Sequence, residues 1–133
     1  AITEVPGSSA YYRGGIVCYS NDAKIELLGI SPATIGRHGA VSAQVAKAMA
    51  ISVRDKVGVA FSVAVTGVAG PDGGSPRKPV GLTYVAVTGP HGSRVQRYLW
   101  GADRSGNKYL SAAAAMDLLV EVIEASENDG PVR

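Results

Sequence analysis

The longest periodic segment runs from Asp103 to about Ala125, where Tyr109, Ala112, Ala113, Met116, Leu119, Val120 and Ile123 recur at helical spacing. Leu110, Ala114, Leu118 and Val122 add a second apolar row, so this predicted helix has two faces to bury, one against a sheet and one against a partner subunit. Asp103 is placed to cap its first turn. A second long helix is predicted from an N-cap at Ser42 to about Val57, with Val45, Ala46, Met49, Ala50, Val53 and Val57 on one stripe and Gly58 closing it. A shorter helix, Ala23–Leu28, follows an N-cap at Asn21 and stops at Gly29, with Pro32 soon after. Near the start, Ser8 or Ser9 can cap a helical turn through Tyr12, ended by Gly14 and Gly15.

Strands are predicted where short β-branched and aromatic runs lie between turn residues. Gly15–Ser20, Val59–Thr66 and Leu82–Thr88 read as such runs, the first as a strand buried on both faces. Arg94–Trp100 alternates as the second arm of a hairpin whose turn is Gly89-Pro90-His91-Gly92. Residues 31–40 and 67–81 are connectors rich in Gly, Pro and Ser. The order of elements predicts an α/β fold in one domain: a three-layer, helix-flanked mixed sheet with an antiparallel hairpin at one side. The domain is expected to span residues 1–125, with a loose polar tail over 126–133. Ala1 to Val5 reads as the last turn of a helix running into a Pro6-Gly7 stop, so the chain is expected to begin inside an element.

Composition narrows the partners. Of 133 residues, 46% are apolar and 18% charged, enough for a core and below the roughly 25% charge of average soluble domains. No apolar run approaches the ~18 residues of a membrane span, and no signal-peptide pattern opens the chain. Thirteen basic and eleven acidic residues give a net charge of +2 with no basic cluster, which argues against nucleic acid as a partner. Cys18 is the lone cysteine, read as a buried, inert thiol; the absence of a disulfide framework fits a reducing, cytoplasmic compartment.

Candidate chemistry gathers at three places. Thr66 to Gly74 reads T-G-V-A-G-P-D-G-G after a predicted strand, where closely spaced glycines let backbone N–H groups approach an anion. The alternative is a structural loop that needs positive φ at several glycines. The loop is neither a Walker loop nor G-x-G-x-x-G. Tyr19 to Lys24 reads Y-S-N-D-A-K at a strand end and a helix start. With Asn21 as cap, Lys24 falls in the first turn, where the helix dipole disfavours a cation; if partly buried it can serve as a general base or phosphate contact, and otherwise it is a surface lysine. Tyr19 is a proton donor or a strand aromatic. Arg104 is a second cation set against a dipole, an anion clamp or a partner of Asp103 or another carboxylate. His38 and His91 lack metal-ligand spacing, so neither metal nor cofactor is expected, and Asp22 and Asp72 read as cap and turn residues.

The stretches V-P-G-S-S-A-Y-Y-R-G-G, Y-S-N-D-A-K, R-H-G-A-V-S, T-G-V-A-G-P-D-G-G, K-P-V-G and G-A-D-R, in that order, closely resemble the carboxy-terminal domain of the CinA family, the PncC-type nicotinamide mononucleotide deamidases. The resemblance runs from Val5 to about Leu119. It implies hydrolysis of the nicotinamide carboxamide of the mononucleotide to nicotinate mononucleotide and ammonia, in pyridine nucleotide salvage. It would make Lys24 the catalytic lysine and Tyr19 its neighbour, with Thr66, Gly67, Ala69, Gly70, Gly73, Gly74 and Arg104 on the substrate.

Two departures qualify it. Family members carry an E-S-[CT]-T-G-G segment upstream of the position where this sequence begins, and its serine is the nucleophile the resemblance implies. The 133 residues by themselves are therefore expected to be inactive unless that piece is supplied. Ser105-Gly106-Asn107-Lys108 stands where the family has a stronger helix former and an arginine; Gly106 costs about 1 kcal/mol in a helix interior. The competing expectation is a noncatalytic nucleotide-binding or homodimerising module. Phosphatase chemistry is a third reading, without the carboxylate cluster it needs.

Overall fold

A computed structural model describes residues 2–128; Ala1 and residues 129–133 lie outside the described residues. A 3-10 turn at Ile2–Glu4 and another at Ser8–Ala10 precede α1 (Asn21–Leu28), α2 (Pro32–His38), α3 (Ala43–Val57), β1 (Ser62–Gly67), β2 (Leu82–Gly89), β3 (Gly92–Leu99) and α4 (Arg104–Asn128). The sheet order is β1-β2-β3, and both pairings are antiparallel.

Strand alternation builds the three layers. Ala64 on β1 and Ala86 on β2 face α3, where Leu28, Ile30, Ile35, Val45, Ala46, Met49 and Ala50 complete one core. Val85 and Val87 face the other way, onto Ala115 and Leu118 of α4, with Val63, Tyr98, Leu119 and Val122 around them. The expected helix-flanked α/β domain is present, and its hairpin is β2 with β3, closed at Gly89 and Gly92. Every strand of the described sheet is antiparallel, so the expected mixed sheet is corrected to an antiparallel one.

The correction arises at Gly15–Ser20, which is extended but pairs with no strand among the described residues. Ile16 and Cys18 turn inward onto the α3 core while Val17 is 83% exposed, so the run is half-buried by alternation and not buried on both faces. Four further details differ. Ser20, not Asn21, caps α1, its hydroxyl accepting from Ala23 N at 3.0 Å. Residues 31–40 contain α2, for which Pro32 supplies a preorganised first turn and Gly39 the stop. Val59 to Phe61 precede β1 as a loop, with Arg54 Nε donating to Ala60 O at 2.8 Å. The turn at Ser8–Ala10 has Gly7 before it and no side-chain cap.

The last helix keeps its predicted start, since Asp103 Oδ1 accepts from Gly106 N at 2.8 Å. It runs on through Asn128 instead of ending near Ala125, because the first strong breakers in the sequence are Gly130 and Pro131. Ala115 and Leu118, packed on Val85 and Val87, set its rotation over the sheet. Glu121 pairs with Arg94 of β3 at 3.2 Å, while Asn107, Lys108 and Ser111 border Val65 and Gly67 of β1 around a cleft of about 110 Å³. At 100° per residue, this leaves the row of Tyr109, Ala112, Ala113, Met116 and Val120 pointing outward. Tyr109 is 74% and Val120 53% exposed. No helix among the described residues is long and apolar enough to cross a membrane.

Tyr98 stacks on Trp100 at 4.9 Å between ring centroids, and Trp100 Nε1 donates to Ser111 Oγ at 3.0 Å. Burial pushes the Tyr98 phenol above its usual range, with Glu121 and Asp117 adding to the effect and Arg94 opposing it. The folded chain therefore keeps a proton that the unfolded chain releases near about pH 10. Stability from this group is complete below that pH and is lost as pH rises through the raised folded value. Tyr98→Phe should flatten the alkaline loss of stability in urea unfolding between about pH 9 and about pH 11, and an unchanged slope would contradict the assignment.

Candidate functional site

Three segments far apart in sequence meet at the first turn of α4. Arg104 Nη1 donates to Gly70 O at 2.9 Å, and Arg104 Nη2 donates to the Tyr19 hydroxyl at 2.9 Å. Asn107 Nδ2 donates to Ala69 O at 3.0 Å. The glycine loop after β1 is thus held by two side chains of one helical turn, and the extended 15–20 segment is joined to it through Tyr19.

Tyr19 reaches this position because strand-like alternation turns it away from the core; it is 84% exposed, so the packing-aromatic alternative does not describe it. Lys24 lies one position deeper in α1 than the Asn21 cap implied, and its side chain is 8% exposed, which removes the surface-lysine alternative. Its ammonium sits 3.5 Å from Cys18 O, on the segment that carries Tyr19. Cys18 is half-buried, its thiol 3.8 Å from Ala23 O. Arg104 is exposed and pairs with neither Asp103 nor another carboxylate among the described residues; its guanidinium donates to Gly70 O and the Tyr19 hydroxyl.

Thr66, one residue before the end of β1, lies on the α3 side, buried, with its hydroxyl donating to Ala40 O at 2.8 Å. Gly67 opposes Thr83 across the β1–β2 ladder. Gly70 has φ +87, and a Cβ there would run into Val80 Cγ1; a positive φ of that kind is what the structural-loop alternative asked for. The loop therefore has a structural need for this glycine and two carbonyls committed to α4. Gly73 and Gly74 are set apart from this cluster. With Pro71, Asp72, Ser75 and Val80 they border an open hollow of about 490 Å³ that neither Tyr19, Lys24 nor Arg104 lines.

Two residues at the site escaped the sequence reading. Asn107 stood there only as a weak helix former, and nothing in its local pattern announced a buried amide. Lys78 has a signal in K-P-V-G: its ammonium donates to His38 O, and its backbone N donates to Ser75 Oγ at 3.1 Å. Lys78 and Thr66 thereby tie both ends of the loop to the turn between α2 and α3. Among the described residues, no three His, Cys, Asp or Glu side chains gather where a metal ion could be held.

The CinA C-terminal domain model matches residues 1–123. This chain belongs to that family. A CinA-like protein from Synechocystis is 43% identical over 128 residues, and one from Geotalea uraniireducens 47% identical over 118. These alignments cover 94% and 89% of this chain but only 31% and 28% of those proteins, so the chain spans under a third of their length. Among solved structures, a competence/damage inducible protein from Agrobacterium tumefaciens superimposes with a TM-score of 0.87 at 39% identity, covering 90% of this chain and 73% of that one. A CinA-superfamily protein from Escherichia coli gives 0.87 at 25% identity, covering 91% and 70%. The names establish CinA membership and the fold, and none states a reaction.

The loop geometry makes a paired prediction. Gly70→Ala should lose at least about 1 kcal/mol in denaturant unfolding, from its positive φ and from Val80. Gly36→Ala, in the middle of α2 with open space around the added methyl, should gain about 0.5–1 kcal/mol.

Proposed function

We propose that this domain hydrolyses the carboxamide of nicotinamide mononucleotide, giving nicotinate mononucleotide and ammonia, as a cytoplasmic step of pyridine nucleotide salvage. The observation that carries the reading is the double hydrogen bond of Arg104, which brings the Tyr19 hydroxyl and the glycine loop to one place; the buried Lys24 is tied to the same 15–20 segment through Cys18 O. Support also comes from membership of the CinA family.

In this reading a serine supplied by the upstream segment attacks the carboxamide carbon. Lys24 takes the serine proton and passes it to the departing nitrogen as the C–N bond breaks. Water then hydrolyses the acyl-enzyme. Tyr19, oriented by Arg104, assists that proton transfer. Thr66, Gly67, Ala69 and Gly70 lie on the substrate side, where loop amides and Arg104 hold phosphate or a developing oxyanion, and Gly73 and Gly74, set apart in their own hollow, are left out of that wall. The test is ammonia release from nicotinamide mononucleotide by this chain and by the same chain carrying the upstream serine segment. Activity in the extended chain that Lys24→Ala lowers by at least about a hundredfold is the expected result. Full activity in that variant would remove Lys24 from the mechanism.

The outward apolar row on α4 favours a second reading, a nucleotide-binding module that pairs with a second copy. Two-chain mass in light scattering, with mononucleotide binding but no ammonia from the extended chain, would select it. A mass of 13.6 kDa would remove the pairing.

A further inference from the structure

The buried residues of α4 are Asn107, Ser111, Ala114, Ala115 and Leu118. Its later turns are therefore seated on Val85 and Val87 by apolar side chains, whereas its first two turns are seated by an amide and a hydroxyl. Arg104 belongs to those first turns. Apolar contact is non-directional and hydrogen bonds are not, so the placement of Arg104 over the loop is set by polar partners.

Asn107 Nδ2 donates to Ala69 O at 3.0 Å, and its Oδ1 accepts from Ala102 N at 3.1 Å. Ser111, one turn further on, stands in a chain of three hydrogen bonds. Trp100 Nε1 donates to Ser111 Oγ at 3.0 Å, Ser111 Oγ to Thr83 Oγ1 at 3.3 Å, and Thr83 Oγ1 to Gly81 O at 3.3 Å. The direction is set at both ends: an indole N–H only donates and a carbonyl only accepts, so each hydroxyl passes its single proton forward. Both hydroxyl side chains are buried.

The chain ends where the glycine loop ends. Gly81 N donates to Val68 O at 2.7 Å, and Val68 precedes Ala69, whose carbonyl Asn107 holds. A circuit closes, from Ser111 through Thr83, Gly81 and Val68 to Ala69 and back to α4 at Asn107. It ties both ends of the loop and the first two turns of α4 into one polar unit.

We propose that Ser111 is a positioning residue for Arg104. Its hydroxyl ties the first turns of α4 to Thr83 and Trp100 and so sets where the guanidinium meets Gly70 O and the Tyr19 hydroxyl. The consequence for ligand affinity rests on the mononucleotide reading above; the placement of Arg104 does not.

The experiment compares the wild-type chain with Ser111→Ala, Ser111→Thr, Thr83→Val and Ala114→Gly. Ser111→Ala removes two links of the chain, and Thr83→Val breaks it one step on with Ser111 in place. Ser111→Thr keeps the hydroxyl, and its added methyl has space in the cleft of about 110 Å³ that Ser111 borders. Ala114→Gly loosens the same helix at a buried position outside the circuit. Hydrogen bonds from both Nη atoms slow rotation of the guanidinium, so NMR at low temperature should resolve the Arg104 Nη resonances in the wild type, Ser111→Thr and Ala114→Gly. In Ser111→Ala and Thr83→Val they should average. Should Ser111→Ala fail to fold, Thr83→Val decides the same point. Resolved resonances in the variants that break the chain would overturn the assignment, as would averaging in the wild type. Averaging in Ala114→Gly as well would mean general loosening of α4 and would overturn it too.

Nicotinamide mononucleotide should bind about tenfold more weakly to Ser111→Ala, and within about twofold of the wild type to Ser111→Thr and Ala114→Gly. Equal affinity in Ser111→Ala would overturn the consequence for the ligand. Absence of any binding by the wild type would count against the proposed function, while the Arg104 resonances still decide the role of Ser111.

Discussion

The arrangement at the site depends on one turn of helix. Residues 104 to 107 of α4 bind consecutive carbonyls of the glycine loop through a guanidinium and a buried amide, and the same guanidinium reaches Tyr19. The Asn107 amide is buried, so water competes little for its bond to Ala69 O, while the Arg104–Tyr19 bond lies exposed at the surface. A loop rich in glycine has little conformational preference of its own. Its shape must be imposed from outside, and here α4 imposes it on one side while Lys78 and Thr66 hold it to the α2–α3 turn on the other.

The three-layer fold explains why that turn is in the right place. Leu118 and Ala115 seat α4 on Val85 and Val87, and the Arg94–Glu121 pair marks the β3 side of the helix. The start of α4 therefore lies beside the end of β1, where the loop begins. Gly81 closes the loop from the other direction: at φ +93 it has no room for a Cβ against Trp100 O, and Trp100 N donates to Gly81 O at 2.9 Å. The hairpin thereby returns the chain to the loop just before α4 starts. Packing fixes the scaffold, and a handful of polar contacts transmit that rigidity to the site.

Much of the scaffold was legible because its periods are long and clean. The Val45–Val57 stripe and the rows after Asp103 each persist for several turns, and the β2–β3 hairpin is bounded by Gly89 and Gly92. The Gly15–Ser20 run was misread because an apolar string looks the same whether a strand is covered on both faces or on one. Only the inward Ile16 and Cys18 and the outward Val17 and Tyr19 separate those cases. The α2 turn escaped because Ile35 is its single buried anchor, too little for a periodic signal. At the site, Tyr19, Arg104 and the loop were flagged from local chemistry, and Lys24 from its place near a helix start. Asn107 was not, since its partners lie at Ala69 and Ala102 and a neutral amide carries no charge anomaly to betray a buried role.

Arg104 joins the glycine loop to the segment that carries Tyr19, and the proposed mononucleotide site depends on that junction. Calorimetric titration of nicotinamide mononucleotide into the wild-type chain and into Arg104→Gln, with the melting temperature of each, tests it most directly. Loss of affinity by about ten- to a hundredfold in the variant, at a nearly unchanged melting temperature, is the predicted result. Equal affinity in the two chains would contradict the claim.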